Sequence, residues 1–312
     1  MQKLLIICGP TATGKTLFAL EVAKKFNGEI ISADSRQVYT GMDIVTGKDL
    51  PRNAQCLMSN VQWKNKRLSY YDISGIKIWL YDVVNPDESF NVSYWKECAD
   101  LVISDIHKRN KLPIVVGGTG LYIKSLTQNL DQISISPNQK LREDLADKNP
   151  EYLFNYLNQL NPSLSAKINA SDRHNPRRLI RAIEISLTSK LLVNSQLSTI
   201  DYQLFQIGLT APLDTLYSRI DNRVDAREAL GAAEESKIIL SRYDRNLPSL
   251  TASGYRAFLD SNPISKWKTL EHQYARRQLT WFKKQPGIHW FDISVSNWQP
   301  FAVSLINNWY NN

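Results

Sequence analysis

The stretch GPTATGKT occupies Gly9–Thr16 and matches the pattern G-x-x-x-x-G-K-[ST], the loop that surrounds phosphate groups in P-loop proteins. The apolar run Leu4–Cys8 precedes it and is suited to a buried strand. From Leu17 to Phe26 apolar residues recur at helical spacing, and Asn27-Gly28 predicts the end of that helix. A strand, a glycine loop and a helix N-terminus direct several backbone N–H groups at one anion. These flanks favour a site for a polyphosphate or diphosphate over a chance match in a turn.

The composition is that of an ordinary globular protein. Of the 312 residues, 43% are hydrophobic and 22% charged, and no apolar run reaches the roughly 18 residues of a membrane span. Lys and Arg outnumber Asp and Glu by 38 to 30, a net charge of +8 that weakly favours a polyanionic partner. Three cysteines without CxxC spacing predict neither a disulfide framework nor a zinc site. With no signal-peptide pattern before the first strand, we expect a cytoplasmic monomer that does not bind membranes.

Strand and helix patterns alternate in the first third of the chain. Glu29–Ala33 is predicted to be a strand that ends at Asp34, and Leu112–Val116 a strand that ends at Gly117–Gly120. Strands separated by helical stretches predict parallel βαβ units, in which ligands bind beyond the carboxyl ends of the strands. We therefore expect the P-loop, Asp34 and Thr119 to meet in one crevice.

The predicted fold class is α/β, with a P-loop NTPase-like parallel sheet core, helices on both faces and a mainly helical insertion domain. The core is assigned to residues 1–132 and 200–312, because an apolar run returns from Phe205. The insertion is assigned to residues 133–199, where prolines open and interrupt helical patterns. Residues from 51 to about 80, rich in Asn, Ser, Tyr and Lys, are interpreted as an excursion of the core that contains a hairpin.

Asp34 is the candidate for acid–base chemistry. A carboxylate at the end of a strand is suited to three roles, which are capping a helix, holding a metal and acting as a general base. Judged from the residue alone, capping or metal binding is favoured over the role of general base. The position opposite a P-loop raises the case for a base, since a kinase uses such a carboxylate to activate a hydroxyl.

Two later segments are basic. Four arginines crowd the predicted start of the helix at Asn175–Glu184, where the helix dipole disfavours cations. They are Arg173, Arg177, Arg178 and Arg181. An external anion or a solvated helix face would explain them equally well. Tyr274–Lys284 interleaves cations with aromatic residues, which suits base stacking but on composition favours an ordinary amphipathic helix.

Together these segments resemble the bacterial tRNA dimethylallyltransferases, also called tRNA isopentenyltransferases. The motifs lie in the family's order and span nearly the whole chain: Gly9–Thr16, Asp34–Tyr39, Gly41–Ile44 with Thr46 and Lys48, Gly117–Tyr122, Asn175–Glu184, Gly254–Arg256 and Arg276–Trp281. The last motif favours the branch that acts on tRNA over the branch that acts on free adenylate. The chain departs from the family at residues 51–80, at Ser253 and at Arg227, where methionine is common.

The resemblance implies transfer of a dimethylallyl group from its diphosphate to the N6 amine of the adenosine on the 3′ side of the anticodon. Asp34 would be the general base, with Thr119 and Lys15 as further catalytic residues. The diphosphate would be bound by Gly9, Thr11, Ala12, Thr13, Gly14, Lys15, Thr16 and Arg223, and a magnesium cofactor by Thr16. The tRNA anticodon stem-loop would contact Asp34, Ser35, Arg36, Gln37, Thr119, Arg142, Arg177, Arg178, Arg181, Gly254, Tyr255, Arg256 and Arg277.

Other functions remain open on the residues alone. A small-molecule kinase on the same P-loop fold would bind ATP, but it would not need the Arg-rich helix or the segment Arg276–Trp281. A non-catalytic RNA-binding module would explain the basic helices, but not Asp34 and Thr119 around a P-loop. An adenylate isopentenyltransferase would share the donor and use a free nucleotide as the acceptor.

Overall fold

The computed structural model describes residues 2–51, 54–128, 135, 137–189 and 202–312. The strands in these ranges are β1 (Gln2–Cys8), β2 (Gly28–Ser32), β3 (Cys56–Trp63), β4 (Lys66–Ile73), β5 (Ile76–Trp79), β6 (Leu112–Gly117), β7 (Tyr202–Thr210) and β8 (Ile288–Asp292). The helices are α1 (Lys15–Lys25), α2 (Val92–Lys108), α3 (Gly120–Thr127), α4 (Gln139–Leu145), α5 (Pro150–Leu160), α6 (Pro162–Ser165), α7 (Ala170–Arg173), α8 (Pro176–Ser189), α9 (Leu213–Ala229), α10 (Ala232–Arg242), α11 (Ser253–Ala257), α12 (Pro263–Phe282) and α13 (Trp298–Asn311). None of the helices in these ranges combines the length and apolar character that crossing a bilayer requires.

The chain divides into two compact units. The first comprises Met1–Gln128 and Asp201–Asn312, and the second Asn129–Ile200. The domain boundaries predicted at 132/133 and 199/200 fall outside the described residues.

The strands described in the first unit form one sheet in the order β3-β4-β5-β2-β6-β1-β7-β8. All pairs from β5 to β8 are parallel, whereas β4 is antiparallel to both of its neighbours. Ile7 of β1 lies opposite Val116 of β6 and Ile207 of β7, and Val116 lies opposite Ser32 of β2. The carboxyl ends of the central strands are therefore level, which brings the loops that follow them to one edge. The predicted α/β class with a P-loop core is confirmed.

Alternate side chains of the central strands pack on opposite faces of the sheet. Ile7 belongs to a cluster with Phe18 of α1 and Ile306 of α13. Ile6 belongs to the other cluster, with Trp95 of α2. Because both faces are covered by helices, β1 reads as an unbroken apolar run. Burying each such side chain contributes about 1.5–3 kcal/mol.

The excursion at residues 51–80 continues the main sheet. β3 and β4 form a hairpin, and β5 then returns beside β2 in parallel. Trp79 at the end of β5 donates a hydrogen bond of 2.9 Å to the buried carboxylate of Glu29, which also binds Arg109 and Lys111. The short alternating pattern predicted the hairpin. It did not indicate that the following strand, β5, would join the main sheet beside β2.

The described part of the second unit contains five helices, α4 to α8, joined by loops, and no strand. Leu157 of α5 packs with Leu179 and Ile183 of α8, two residues one turn apart on the same helix face. Asparagine side chains cap five of its described helices, α4 to α8, each contributing on the order of 1 kcal/mol. They are Asn138, Asn149, Asn161, Asn169 and Asn175.

Candidate active site

The P-loop joins β1 to α1 through a left-handed backbone. Positive φ angles occur at Gly9 (133°), Ala12 (63°) and Gly14 (82°). A Cβ atom at Gly9 would collide with the backbone carbonyl of Leu209 in β7, so this position requires glycine. The loop ends at the N-terminus of α1, where unpaired N–H groups and the helix dipole favour an anion.

The ammonium group of Lys15 loses its positive charge at a lower pH than an ordinary lysine does. This group donates a hydrogen bond of 2.6 Å to the Pro10 carbonyl. Desolvation lowers the pKa of Lys15 to about 8, and the neighbouring Arg223 adds to this shift. A bound anion would counter both effects, because it would stabilise the charged form.

A cavity of about 540 Å³ opens beside the P-loop, at the carboxyl edge of the sheet. Its walls carry cationic, acidic and hydroxyl groups from separate parts of the chain. Those used below are Thr11, Lys15, Thr16, Asp34, Gln37, Asp49, Arg219, Arg223, Arg227, Tyr274 and Arg277. Residues as far apart in sequence as Thr11 and Arg277 therefore line one space.

Asp34 and Thr119 lie on neighbouring loops after β2 and β6. Asp34 Oδ1 accepts a hydrogen bond of 2.8 Å from the Arg36 N–H, and Oδ2 has no hydrogen-bond partner within the described ranges. Thr119 Oγ1 accepts a hydrogen bond of 2.9 Å from the Ser35 N–H. Tyr274 lines the same cavity as Asp34. Burial and the charge of Asp34 raise the pKa of Tyr274, while a hydrogen bond with Thr119 acts the other way. One carboxylate oxygen is thus available for chemistry, and the other fixes the loop.

Arg36 and Gln37 are held by contacts within the protein. Arg36 Nη1 donates to the Pro248 carbonyl at 2.5 Å, and Nη2 donates to Thr251 Oγ1 at 2.9 Å. Gln37 accepts from Ser32 Oγ at 2.9 Å and donates to the Gly47 carbonyl at 2.8 Å. The Gln37 amide is therefore fixed in orientation at the cavity wall.

Three arginines on one face of α9 approach the P-loop. Arg219 Nε donates to the Ala12 carbonyl at 2.7 Å, and Arg223 Nη1 donates to Thr11 Oγ1 at 3.1 Å. Arg223 also pairs with Asp49, and Arg227 lies one turn further along. Sequence analysis placed Arg223 at this site and missed the other two, although the four-residue spacing was a usable signal.

Gln278 is a third residue that sequence analysis missed. Its side chain is buried, accepts a hydrogen bond of 2.9 Å from the Thr11 N–H and donates one of 2.9 Å to the Gly118 carbonyl. The glutamine thereby joins the P-loop to the loop after β6. Its motif was recognised, but no local pattern indicates contacts that span more than 150 residues.

The predicted tRNA contacts of Gly254 and Tyr255 need correction. Tyr255 is fully buried, and its hydroxyl donates a hydrogen bond of 2.7 Å to Glu235. The same carboxylate accepts from the N–H groups of Asp43–Val45. A Cβ atom at Gly254 would collide with Val45, so these residues support the Asp43–Val45 loop from inside. Arg256 is exposed and Arg277 lines the cavity, so both remain accessible.

Arginines of the second unit are mostly engaged by acids of the same unit. Arg142 and Arg181 both bind the buried carboxylate of Glu184, at 2.6 and 3.0 Å. Burial opposes ionisation of Glu184, but these hydrogen bonds hold its pKa below the usual range. Arg178 pairs with Asp172. Arg177 is exposed and makes no ion pair or hydrogen bond with any described residue.

The residues present fit a magnesium ion held chiefly by its ligand. Thr16 lines the cavity at the second position of α1. Magnesium commonly keeps several waters and takes one or two protein oxygens together with substrate phosphates. Within the described ranges, no group of three or more His, Cys, Asp or Glu side chains forms a metal cage. At this site a magnesium ion would therefore be bound by the Thr16 hydroxyl and by oxygens of the diphosphate.

A parallel sheet with a P-loop and a cationic cavity defines a P-loop protein that binds a phosphate-bearing ligand. Residues 37–285 match the family model described as IPP transferase, and residues 2–69 match the model described as isopentenyl transferase. The chain belongs to this family, as its motifs predicted.

Individual relatives agree with the family models. The chain is 38% identical to a tRNA dimethylallyltransferase of Alkaliphilus oremlandii, with 94% of this chain and 92% of the relative covered. The full-length tRNA isopentenylpyrophosphate transferase from Bacillus halodurans matches with a TM-score of 0.67 and 33% identity, over 100% of this chain and 96% of the other. A eukaryotic dimethylallyltransferase acting on tRNA matches with a TM-score of 0.82 and 26% identity, over 100% and 80%.

Proposed function

We propose that this protein transfers a dimethylallyl group from dimethylallyl diphosphate to the N6 amine of the adenosine on the 3′ side of the tRNA anticodon. The observation that carries the proposal is the cavity that contains Lys15 and Arg223 beside the P-loop and Asp34 across from them. The cations suit a diphosphate leaving group, and the carboxylate suits an amine that must lose a proton. The kinship with tRNA dimethylallyltransferases supports both assignments.

On the donor side, the bond between C1 of the dimethylallyl group and the diphosphate oxygen breaks, and negative charge grows on the diphosphate. P-loop N–H groups, Lys15 and Arg223 stabilise that charge from fixed positions. Lys15 exchanges the Pro10 carbonyl for a phosphate oxygen, which raises its pKa and secures its positive charge. Thr16 would hold a magnesium ion together with the diphosphate oxygens, and the ion would supply further neutralisation of the leaving group's charge.

On the acceptor side, N6 of the adenine forms the new bond to C1 and gives up a proton. Asp34 accepts the proton through its second oxygen, while the Arg36 N–H keeps the carboxylate oriented. Thr119 positions the loop through the Ser35 N–H. The fixed amide of Gln37 is suited to read an edge of the adenine, which must leave the anticodon-loop stack to enter.

The tRNA backbone is held by exposed arginines. Arg177, Arg178, Arg256 and Arg277 are exposed cations among the predicted contacts, and of these Arg178 also pairs with Asp172. Such phosphate contacts position the RNA, whereas contacts to the base edge identify the adenosine.

Mass spectrometry of nucleosides tests the proposal. An unmodified tRNA transcript is incubated with the protein, magnesium and dimethylallyl diphosphate, and dimethylallyladenosine is expected. A matched transcript with guanosine at the target position should stay unmodified. Transfer to free AMP but not to tRNA would favour an adenylate isopentenyltransferase. Consumption of ATP without binding of dimethylallyl diphosphate would favour a kinase and overturn the proposal.

A further inference from the structure

A buried guanidinium group beside the P-loop lacks adequate partners. Arg227 lines the cavity with only 6% of its surface exposed. Its Nε and Nη2 atoms have no hydrogen-bond partner among the described residues. The Asp49 carboxylate is 3.5 Å from Nη2, which is too long for a good hydrogen bond. Burial lowers the pKa of Arg227 to about 10, and Arg223 adds to the shift, so the group stays charged at neutral pH.

Arg227 and Arg223 are close enough to bind one anion together. A Cβ atom at Gly47 would collide with the Arg227 guanidinium and would also crowd Nη2 of Arg223. Both guanidinium groups therefore lie against the same glycine, whose φ is 68°. Arg223 also contacts Thr11 of the P-loop, so this pair adjoins the proposed diphosphate site.

Among the described residues, two carboxylates act on this pair: Asp49, which contacts both arginines, and Glu271, whose charge also raises the pKa of Arg227. Asp49 forms an ion pair with Arg223 and the long contact with Arg227. Its side chain is 54% exposed, in contrast to the buried Arg227. A phosphate group presents more charge and more acceptor oxygens than one carboxylate. An exposed acid on a buried cation is thus readily displaced by a ligand phosphate.

We propose that Arg227 and Arg223 form a phosphate subsite that Asp49 occupies until the ligand enters. The inference rests on the proposed function, because the expected ligand is a diphosphate. A phosphate of the diphosphate displaces Asp49 and accepts hydrogen bonds from Nε and Nη2 of Arg227. After transfer, return of Asp49 helps to release inorganic diphosphate.

Calorimetric binding of inorganic diphosphate, with magnesium and the full chain, tests this exchange. Arg227→Met should weaken binding on the order of tenfold, the scale of one charge-assisted hydrogen bond. Asp49→Asn should tighten binding several-fold, because the competing anion is removed. In the double variant the gain from Asp49→Asn should shrink, since the two residues are coupled. Arg242→Met, which removes an exposed cation on α10, is the matched control and should leave binding unchanged.

Thermal unfolding separates ligand binding from a structural role. Removing an unpaired buried charge should leave the melting temperature of ligand-free Arg227→Met unchanged or raise it. A lower melting temperature with unchanged diphosphate affinity would overturn the subsite, as would weaker binding in Asp49→Asn. Wild-type protein that binds diphosphate but does not prenylate tRNA would refute the proposed function and leave the subsite standing. If the Arg227→Met and Asp49→Asn variants prenylate tRNA but bind diphosphate like the wild type, the proposed function stands and the subsite is refuted.

Discussion

α9 in the first unit and α8 in the second both carry arginines four residues apart, yet their arginines have different surroundings. On α9, Arg223 and Arg227 face the half-exposed Asp49 beside the P-loop. On α8, Arg181 shares the buried Glu184 with Arg142. A buried acid with two cations forms a closed structural group. An exposed acid beside a buried cation leaves room for a ligand, so burial of the acidic partner distinguishes a binding face from a structural one.

The largest effect is expected at the cavity that α9 faces. Asp34→Asn should slow dimethylallyl transfer by about a hundredfold or more, the scale of losing a general base. Binding of dimethylallyl diphosphate should persist, because the α9 cations are untouched. Single-turnover rates and donor affinity measure the two quantities. The exposed Asp87 offers a control, Asp87→Asn, and equal rates for the two variants would show that Asp34 is not the general base.

A substitution in the group of Glu184, Arg142 and Arg181 should change the stability of the protein rather than its binding of the donor. Glu184→Gln should lower the free energy of unfolding by about 1–3 kcal/mol, because two arginines lose a charged partner. Donor affinity should not change. The pKa of Glu184 is lowered on folding, so its contribution is present above its usual pKa of about 4.5 and is lost in more acidic solution.

Denaturant unfolding from pH 7 down to pH 3 checks the Glu184 prediction, and the difference between wild type and variant should shrink as the pH falls. Glu151→Gln, at an exposed position in α5, is the control and should change stability by no more than about 0.5 kcal/mol. If Glu184→Gln is as stable as the wild type but binds the donor more weakly, the distinction between a structural face on α8 and a binding face on α9 is wrong.

Lys15 should make diphosphate binding at the cavity that α9 faces depend on pH. Its pKa of about 8 means that the cation is lost as pH rises from 7 to 9. Diphosphate affinity should therefore fall by up to about tenfold over that range. The same titration of Lys15→Met accounts for ionisation of the ligand itself. Parallel curves for the two proteins would show that Lys15 does not contact the diphosphate.

The smallest effect is expected from the exposed arginine on α8. Arg177→Ala should weaken tRNA binding and reduce the slope of log affinity against log salt by roughly one or somewhat less. The melting temperature should stay the same. Arg181→Ala is the contrasting variant, because it removes one of the two arginines that bind the buried Glu184 and should lower the melting temperature. A salt slope that is unaffected by Arg177→Ala would place the tRNA phosphates elsewhere.

Local patterns predicted the parts of the site that local chain geometry builds. The P-loop and Asp34 follow directly from strands whose apolar runs are unambiguous, and parallel strands must bring their carboxyl ends together. Gln278 and Glu235 were missed because their contacts depend on the packing of distant helices. Tyr255 was assigned to the tRNA surface from its motif alone, and only packing shows that its ring is buried.

The Gln278 bridge has a consequence for the order in which the protein is synthesised. The P-loop leaves the ribosome long before β7, which begins at Tyr202, and Gln278 follows later still. Until then, β1 lacks one neighbouring strand and the Thr11 N–H lacks its acceptor. A nascent chain therefore carries the phosphate-binding motif long before it can hold that loop in place. Premature release upstream of Gln278 should yield fragments that leave the cellular pool of prenyl diphosphates untouched.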